Sequence, residues 1–301
     1  MAFRDLQRAL ISSHTEGRRG RFLALPNLPS DAPPAGVRRI EIHRATESGV
    51  SGPCPDDLAV EEPLEIQIGF TQGIRQVSTV AVTMRTPGQD RELAVGFLYS
   101  EGIVREASDV AAVFAHGNIV RVETARDAGI NWARLERSGY VSSSCGVCGK
   151  TNMGSLNEPP PRVADGGSVP ARLISELPAL LRARQSVFDS TGGLHASALF
   201  GFDGVFLNVA EDVGRHNALD KLIGAEFLNG SLPLSERVLL LSGRASYELI
   251  HKAAAARIPI VASVGAPSSL AVQVAEDAGI TLAGFVRGGG FNIYCGEERI
   301  E

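Results

Sequence analysis

Residues 238–264, VLLLSGRASYELIHKAAAARIPIVASV, carry the clearest signal of fold class in this chain. They begin with an apolar run, Val238 to Leu241, pass a turn that contains Gly243, and end in a second apolar run, Ile260 to Val264. Short apolar runs separated by a glycine turn and an amphipathic segment are typical of strands joined by a helix on the face of a sheet. We therefore predict a strand–helix–strand unit, with Ser246 capping the helix.

The same alternation continues on both sides of this unit. Before it, an apolar run at Gly204–Ala210 precedes a helix whose apolar residues, from Leu219 to Phe227, recur at helical spacing. After it, a helix that ends at Gly279 leads to a run at Ile280–Val286 and a last strand at Phe291–Tyr294. This succession predicts an α/β domain with a largely parallel sheet covered by helices.

The N-terminal half predicts a second, smaller α/β domain. Leu64–Ile68 alternates between apolar and polar residues, Val77–Met84 is rich in β-branched residues, and Glu92–Glu101 has one apolar helical face. A run of small, polar and rigid residues then separates this half from a helix at Ala171–Arg184, which contains Pro178. We therefore divide the chain into a flexible N-terminal tail, a small α/β domain, a cysteine-bearing linker and a C-terminal domain: residues 1–37, 38–140, 141–161 and 162–301.

Composition excludes several classes of protein. The 301-residue chain has a formal net charge of −5, whereas proteins that coat nucleic acids are usually basic. No stretch approaches the roughly 20 apolar residues of a membrane helix, and the first ten residues lack the apolar core of a signal peptide. Four cysteines are too few for a secreted disulfide framework. We expect a cytoplasmic protein with reduced thiols that binds neither nucleic acid nor membrane.

Three loops follow predicted strands and share one composition, an arginine beside at least one glycine. In open α/β sheets such loops lie where ligands bind, and arginines, glycines and helix N-termini together suit an anion. The alternative is a set of ordinary turns in which the arginines pair with Glu211, Asp212 or Glu248. Neither the dinucleotide-binding nor the P-loop motif is present. The three loops are Glu211–Asn217 with Arg215, Ser242–Ser246 with Arg244, and Arg287–Gly290.

The pair Cys145-Gly146-Val147-Cys148 is the second candidate for chemistry. It is compatible with half of a zinc site, a dithiol redox pair, a nucleophilic thiolate with a neighbour, or two incidental thiols. Zinc needs about four ligands, and the other candidates, among them His195, are scattered along the chain. The residues after the pair lead to three prolines rather than to a helix, so thioredoxin-like chemistry is disfavoured. An exposed thiolate beside Lys150 would suit a carrier of a chemical group.

Six motifs together resemble the FdhD family of formate dehydrogenase accessory sulfurtransferases. The resemblance spans about residues 38–296, and the block from Glu211 to Lys221 is its most specific part. The motifs are Ser144–Gly149, Thr191–Ala196, Glu211–Lys221, Ser242–Glu248, Ala266–Ala271 and Gly284–Gly289.

The resemblance implies both a fold and a function. The fold would be a three-layer, cytidine deaminase-like domain joined to a smaller one. The protein would take persulfide sulfur from a cysteine desulfurase on Cys145, with Cys148 assisting, and would pass it to the molybdenum cofactor before insertion into formate dehydrogenase. A homodimer is also implied. The stretch that matches the family's binding segment for the bis-guanine dinucleotide cofactor is Phe285, Val286, Arg287, Gly288, Gly289 and Gly290.

Two departures from known patterns accompany the resemblance. In the family, a basic residue often stands at the position of Gly290. Its absence from this chain would remove one phosphate contact. Zinc deaminases use H-x-E and P-C-x-x-C motifs. Here His195 is followed by Ala196-Ser197, and the cysteine pair is preceded by serine. We therefore expect no deaminase activity.

Sulfur relay is the function that we predict, with the cofactor as bound substrate and no catalytic metal in the protein itself. The alternative is a non-catalytic chaperone that binds the cofactor and the apo-enzyme, with a structural metal at the cysteine pair.

Overall fold

The computed structural model describes residues 36–125, 160–164 and 166–301, and these residues form a mixed α/β fold, which confirms the predicted fold class. The strands are β1 Val37–Thr46, β2 Gly49–Ala59, β3 Glu62–Gln72, β4 Ile74–Arg85, β5 Val110–His116, β6 Ile119–Thr124, β7 His195–Gly201, β8 Phe206–Asp212, β9 Arg237–Leu241, β10 Ile260–Ser263, β11 Thr281–Arg287 and β12 Gly290–Cys295. The helices are α1 Asp90–Ser100, α2 Ala171–Arg182, α3 Ser186–Thr191, α4 Arg215–Leu228, α5 Tyr247–Ala255 and α6 Ser269–Ala278.

The N-terminal part forms a four-stranded sheet in the order β4-β3-β6-β5 and a separate β1–β2 hairpin. Leu64, Ile66 and Ile68 of β3 are fully buried on one face of the sheet, where they pack with residues of α1. The predicted strands and helix of this half are therefore confirmed, although β3 and β4 extend beyond the apolar segments from which they were predicted. The hairpin was not predicted, because most of its side chains are exposed and its sequence lacks an apolar face.

The C-terminal part forms a six-stranded sheet in the order β12-β11-β10-β9-β7-β8. The prediction of a largely parallel sheet is wrong. Only β9, β10 and β11 pair in parallel, whereas β7 is antiparallel to both β9 and β8, and β12 is antiparallel to β11. The reason is that tight turns, rather than helical crossovers, join β7 to β8 and β11 to β12.

This mixed sheet still gathers four strand ends at one edge. Because β7 runs antiparallel to both β8 and β9, strand β8 points in the same direction as β9, β10 and β11. The loops after these four strands, and the start of β7, therefore lie along a single edge of the sheet.

Helices cover both faces of the six-stranded sheet. Val238 and Leu240 of β9 face helix α2, while Leu239 and Leu241 face the cluster that includes α4, α5 and α6. All four are nearly or fully buried, which explains why the strand is apolar without alternation. Helix α2 continues through Pro178. The layers are thus helix, sheet and helices, while the cytidine deaminase-like detail and the domain boundaries stay predictions.

Two glycines bring helix α1 of the N-terminal part against helix α4 of the C-terminal part. A Cβ atom at Gly96 would lie 1.9 Å from the carbonyl oxygen of Asp220, and one at Gly224 would lie 1.9 Å from that of Glu92. Only glycine permits so close a backbone approach.

No helix among the described residues is long and apolar enough to cross a membrane.

Candidate functional site

The loops along the sheet edge are packed backbone to backbone. The N–H of Gly265 donates to the carbonyl oxygen of Gly243 at 2.9 Å, and the N–H of Phe285 donates to that of Gly265 at 3.1 Å. A Cβ atom at Gly243 would lie 3.1 Å from His195 Nδ1, and one at Gly265 would lie 3.0 Å from Arg244 Cγ. The loops after β9, β10 and β11 and the start of β7 are therefore in contact. Glycine at these positions keeps them close.

The last residues of β11 and the turn that joins it to β12 have an unusual backbone. Phe285 has a φ of 55°, a left-handed conformation that costs a non-glycine residue of order 1–3 kcal/mol. Gly288 and Gly289 have φ values of 61° and 81°, and a Cβ at either would meet nothing within 4 Å. These two positions need glycine for its conformation rather than for lack of space. Pairing between β11 and β12 is irregular across this segment.

The side chains of this segment point to different environments. Val286 is fully buried in the core beside α2, so only its backbone can contact a ligand at the edge. Arg287 is exposed, and its Cζ lies 5.2 Å from the ring centroid of the half-buried Phe285. Gly290 is exposed and has no neighbour within 4 Å of an added Cβ. The segment therefore offers one free guanidinium group and a stretch of uncovered backbone.

A buried ion pair fixes the start of helix α4. Lys221 Nζ lies 2.7 Å from Asp212 Oδ2, and the two side chains are 2% and 0% exposed. Asp212 also accepts the backbone N–H groups of Thr86 and Gly214 and a side-chain N–H of Asn217. These contacts join the end of β8, the first turns of α4 and the residue that follows β4. Asp212, Asn217 and Lys221 thus fix the turn between β8 and α4, the helix that begins at Arg215.

The carboxylates that could have paired with the arginines are engaged elsewhere. Glu211 accepts the backbone N–H groups of Val187 and Phe188 at the start of α3. Glu248 pairs with His216 through Oε2 and Nε2 at 2.6 Å. Among the described residues, no ion pair joins a carboxylate to any of the three arginines of these loops: Arg215, Arg244 and Arg287. The alternative interpretation, in which these loops are ordinary turns, required such ion pairs and is therefore disfavoured.

Sequence analysis did not identify the His216–Glu248 pair. His216 stands in the first turn of α4 and Glu248 in that of α5, on helices that follow neighbouring loops of the edge. Burial alone would raise the pKa of Glu248, but the hydrogen bond and charge of His216 and the charge of Lys252 lower it. The order of strands in the sheet, rather than any sequence spacing, brings the two side chains together.

His195, the first residue of β7, lies at the same edge. It is half-buried, and burial together with the charge of Arg215 lowers the pKa of its imidazole. Ser246 stands directly before α5, as predicted, but its side chain makes no capping hydrogen bond. Its Oγ lies 3.4 Å from His216 Nε2 instead. Three of the polar side chains near Arg215 thus come from β7, α4 and the loop before α5.

The four cysteines fall into two groups. Cys145 and Cys148 lie outside the described residues. Cys54 and Cys295 are free, half-buried thiols whose Sγ atoms donate to the carbonyl oxygens of Ile42 and Ile280. Burial raises the pKa of Cys295 to about 11. Within residues 36–125, 160–164 and 166–301, no group of three or more His, Cys, Asp or Glu side chains is arranged to hold a metal ion.

The fold and the edge define an α/β protein with arginine- and glycine-bearing loops over buried ion pairs. Comparison with known families matches residues 59–301 to the FdhD/NarQ family, and the chain belongs to it. The resemblance inferred from the motifs is thereby confirmed.

Named relatives match over most of their own length. "Sulfur carrier protein FdhD" of Streptomyces coelicolor is 47% identical, covering 82% of this chain and 89% of that protein. The protein of the same name from Saccharolobus solfataricus is 42% identical, covering 88% and 98%. A crystal structure from Desulfotalea psychrophila, provisionally described as a formate dehydrogenase accessory protein, has a TM-score of 0.72 at 22% identity, covering 88% and 100%. The last similarity establishes the fold alone.

Proposed function

We propose that this protein is a sulfur carrier of formate dehydrogenase maturation. It accepts persulfide sulfur from a cysteine desulfurase on Cys145 and delivers it to the molybdenum cofactor in its bis-guanine dinucleotide form. It acts in the cytoplasm as a homodimer. The observation that carries the proposal is the 47% identity with a protein named sulfur carrier protein FdhD across 82% of the chain.

Thiol chemistry favours the Cys145–Cys148 pair over the other two cysteines. A sulfur carrier needs a thiolate, because the thiolate is the nucleophile that attacks a donor's persulfide. With a pKa of about 11, Cys295 is almost entirely protonated at neutral pH. Cys54 donates to a backbone carbonyl within the β1–β2 hairpin. Cys148 either releases the outer sulfur by attacking the inner sulfur, on Cys145, or helps to keep Cys145 ionised. The first route forms a Cys145–Cys148 disulfide, which a cellular thiol must reduce before the next cycle.

The sheet edge supports binding of an anionic cofactor. Arg215 at the start of α4, Arg244 in the loop after β9 and Arg287 at the end of β11 all lie at this edge. None of the three has an ion-pair partner among the described residues. The residue before α4 is Gly214, which has no side chain to cap the helix, so the first N–H groups of α4 could bind a phosphate. The uncovered backbone from Gly288 to Gly290 would let a pyrophosphate approach closely. We assign the guanine dinucleotide phosphates to this edge.

Sulfur loading tests the carrier residue directly. The protein is incubated with a cysteine desulfurase and ³⁵S-cysteine, and protein-bound radioactivity that a thiol can release is counted. We expect Cys145→Ser to gain no transferable sulfur, while Cys54→Ser and Cys295→Ser load like the wild type. Normal loading of Cys145→Ser would refute the assignment.

Intact-mass measurement of the same samples separates the proposal from the metal-holding chaperone. A carrier gains the mass of sulfur on incubation, whereas the chaperone contains zinc as purified and gains no sulfur. Loss of the bound metal in Cys145→Ser, without any sulfur adduct in the wild type, would favour the chaperone.

A further inference from the structure

Three buried polar atoms at the sheet edge lack hydrogen-bond partners. They are Nδ1 of His216, Oε1 of Glu248 and Nε of Arg215, none of which has a partner among the described residues. His216 and Glu248 are only 7% and 8% exposed. Leaving a buried polar atom unpaired is costly, so these three atoms need partners from outside the described residues, such as water or a ligand.

The contact between His216 and Glu248 fixes the orientation of the imidazole. Because Nε2 faces the Glu248 carboxylate at 2.6 Å, the second ring nitrogen, Nδ1, is the one left for another partner. Arg215 directly precedes His216 in the chain, and its charge acts on both His195 and Glu248. Arg215 and His216 belong to the first turn of α4, whose leading N–H groups have no side-chain cap.

We propose that His216 is a ligand-binding residue of this edge and that Glu248 is its positioning residue. With Nε2 held by Glu248, His216 donates Nδ1–H to a phosphate oxygen that also accepts from Arg215 Nε. The proposal rests on the proposed function, because it assigns one more contact to the anion that the edge would bind. If His216 and Glu248 formed only a structural ion pair, the Nε2 contact would be needed and a hydrogen-bond donor at Nδ1 would not.

The neighbouring charges agree with a phosphate in this position. Glu248 on α5 contacts His216, Arg215 precedes it on α4, and His195 on β7 interacts electrostatically with it. The charge of Asp212 on β8 acts on His195, and that of Lys252 on α5 acts on Glu248. Asp212 and Lys252 are already paired, with Lys221 and Asp220 respectively. Among the described residues, no carboxylate forms an ion pair with Arg215, so its guanidinium can pair with an anion at this edge.

Two substitutions of His216 separate binding from a structural role. Glutamine places an amide nitrogen at about the distance of Nε2, and so keeps the contact with Glu248 but loses the donor at Nδ1. Asparagine places its amide nitrogen at about the distance of Nδ1, and so keeps that donor but loses the contact with Glu248. We expect His216→Gln to weaken GDP and inorganic pyrophosphate binding about tenfold or more, and His216→Asn to weaken it less. Guanosine binding should be equal in both variants.

The opposite order, or equal loss in the two variants, would overturn the inference, since an ion-pair role predicts that glutamine is the better replacement. So would a loss of guanosine affinity as large as that of GDP. Calorimetric titration gives the affinities, and circular dichroism confirms that each variant is folded.

Glu248→Gln provides a second test that leaves the imidazole in place. An amide oxygen accepts a weaker hydrogen bond from Nε2 than a carboxylate does, so we expect the affinity for GDP and pyrophosphate to fall while the affinity for guanosine stays at the wild-type value. Unchanged GDP affinity, or an equal loss of guanosine affinity, would contradict the positioning role.

These outcomes separate the inference from the proposed function. If the wild type binds GDP and Arg287→Ala weakens binding while His216→Gln does not, only the role of His216 fails. If the wild type binds neither GDP nor pyrophosphate, the cofactor seat of the proposed function fails with it.

Discussion

Replacing Lys221 by methionine tests whether the most specific sequence block of this chain serves the fold. Methionine fills a volume similar to that of lysine but carries no charge. The change removes the 2.7 Å contact of Nζ with Asp212 and its hydrogen bonds to the carbonyl oxygens of Thr86 and Glu211. Asp212 is then left as a fully buried carboxylate without a countercharge.

The structure sets the size of the effect. Breaking a buried ion pair on one side typically costs about 3–5 kcal/mol, a large share of the roughly 5–15 kcal/mol by which domains are stable. With a urea slope of about 1–3 kcal/mol per M, the unfolding midpoint should fall by about 1–2 M or more. Urea unfolding followed by circular dichroism measures it. The exposed pair Arg172–Glu176 supplies the control, and Arg172→Ala should leave the midpoint unchanged.

A double variant identifies the cause of the loss. Asp212→Asn replaces the unpaired carboxylate of Lys221→Met with a neutral amide, so Asp212→Asn/Lys221→Met should be more stable than Lys221→Met alone. The pair does not stabilise the fold as argued if the free energy of unfolding of Lys221→Met lies within about 1 kcal/mol of the wild-type value. The same conclusion follows if the double variant is destabilised by the sum of the two single substitutions.

Three further expectations concern the edge and the thiols. GDP should raise the melting temperature of the wild type. Arg287→Ala should bind GDP about tenfold more weakly, because a charge-assisted contact contributes roughly 1.5–3 kcal/mol. Equal affinities of the two proteins in calorimetry would show that Arg287 does not contact the ligand. In the double variant Gly288→Val/Gly289→Val, two β-branched residues must adopt φ values of 61° and 81°. We expect it to load sulfur but fail to activate formate dehydrogenase; full activation by a folded double variant would show that the cofactor binds elsewhere. Iodoacetamide at pH 8 should label Cys295 far more slowly than Cys54, because a pKa of about 11 leaves only about 0.1% thiolate; peptide mass spectrometry after timed labelling measures both rates.

Local pattern was enough to predict most of the regular elements. The alternation of Leu64, Ile66 and Ile68 places three buried side chains on one face of β3, and the continuous run in β9 belongs to a strand buried on both faces. The sequence analysis assigns the apolar run that begins at His195 to no element, so strand β7 is missing from the prediction. Without β7, the regular succession of strands and helices suggested a parallel sheet.

The candidate site was predictable only in part. Glycine and arginine beside predicted strand ends indicated the three loops, because the carboxyl ends of strands that point the same way share one edge. Nothing in the spacing of His216 and Glu248, which lie 32 residues apart, indicated that they would be in contact. Nor did the sequence show that Asp212 would bind the backbone of Thr86, 126 residues earlier.

The sequence by itself determined the α/β class, the positions of most helices and strands, and the family, since these depend on periodicity and on short motifs that stay within one segment. Only the tertiary structure decided the mixed direction of the sheet, the glycine contact between α1 and α4, and the pairing of His216 with Glu248. The physical reason is that strand order and helix packing bring together residues that are far apart in the chain. Burial then determines which polar groups must find partners, and no local pattern contains that information.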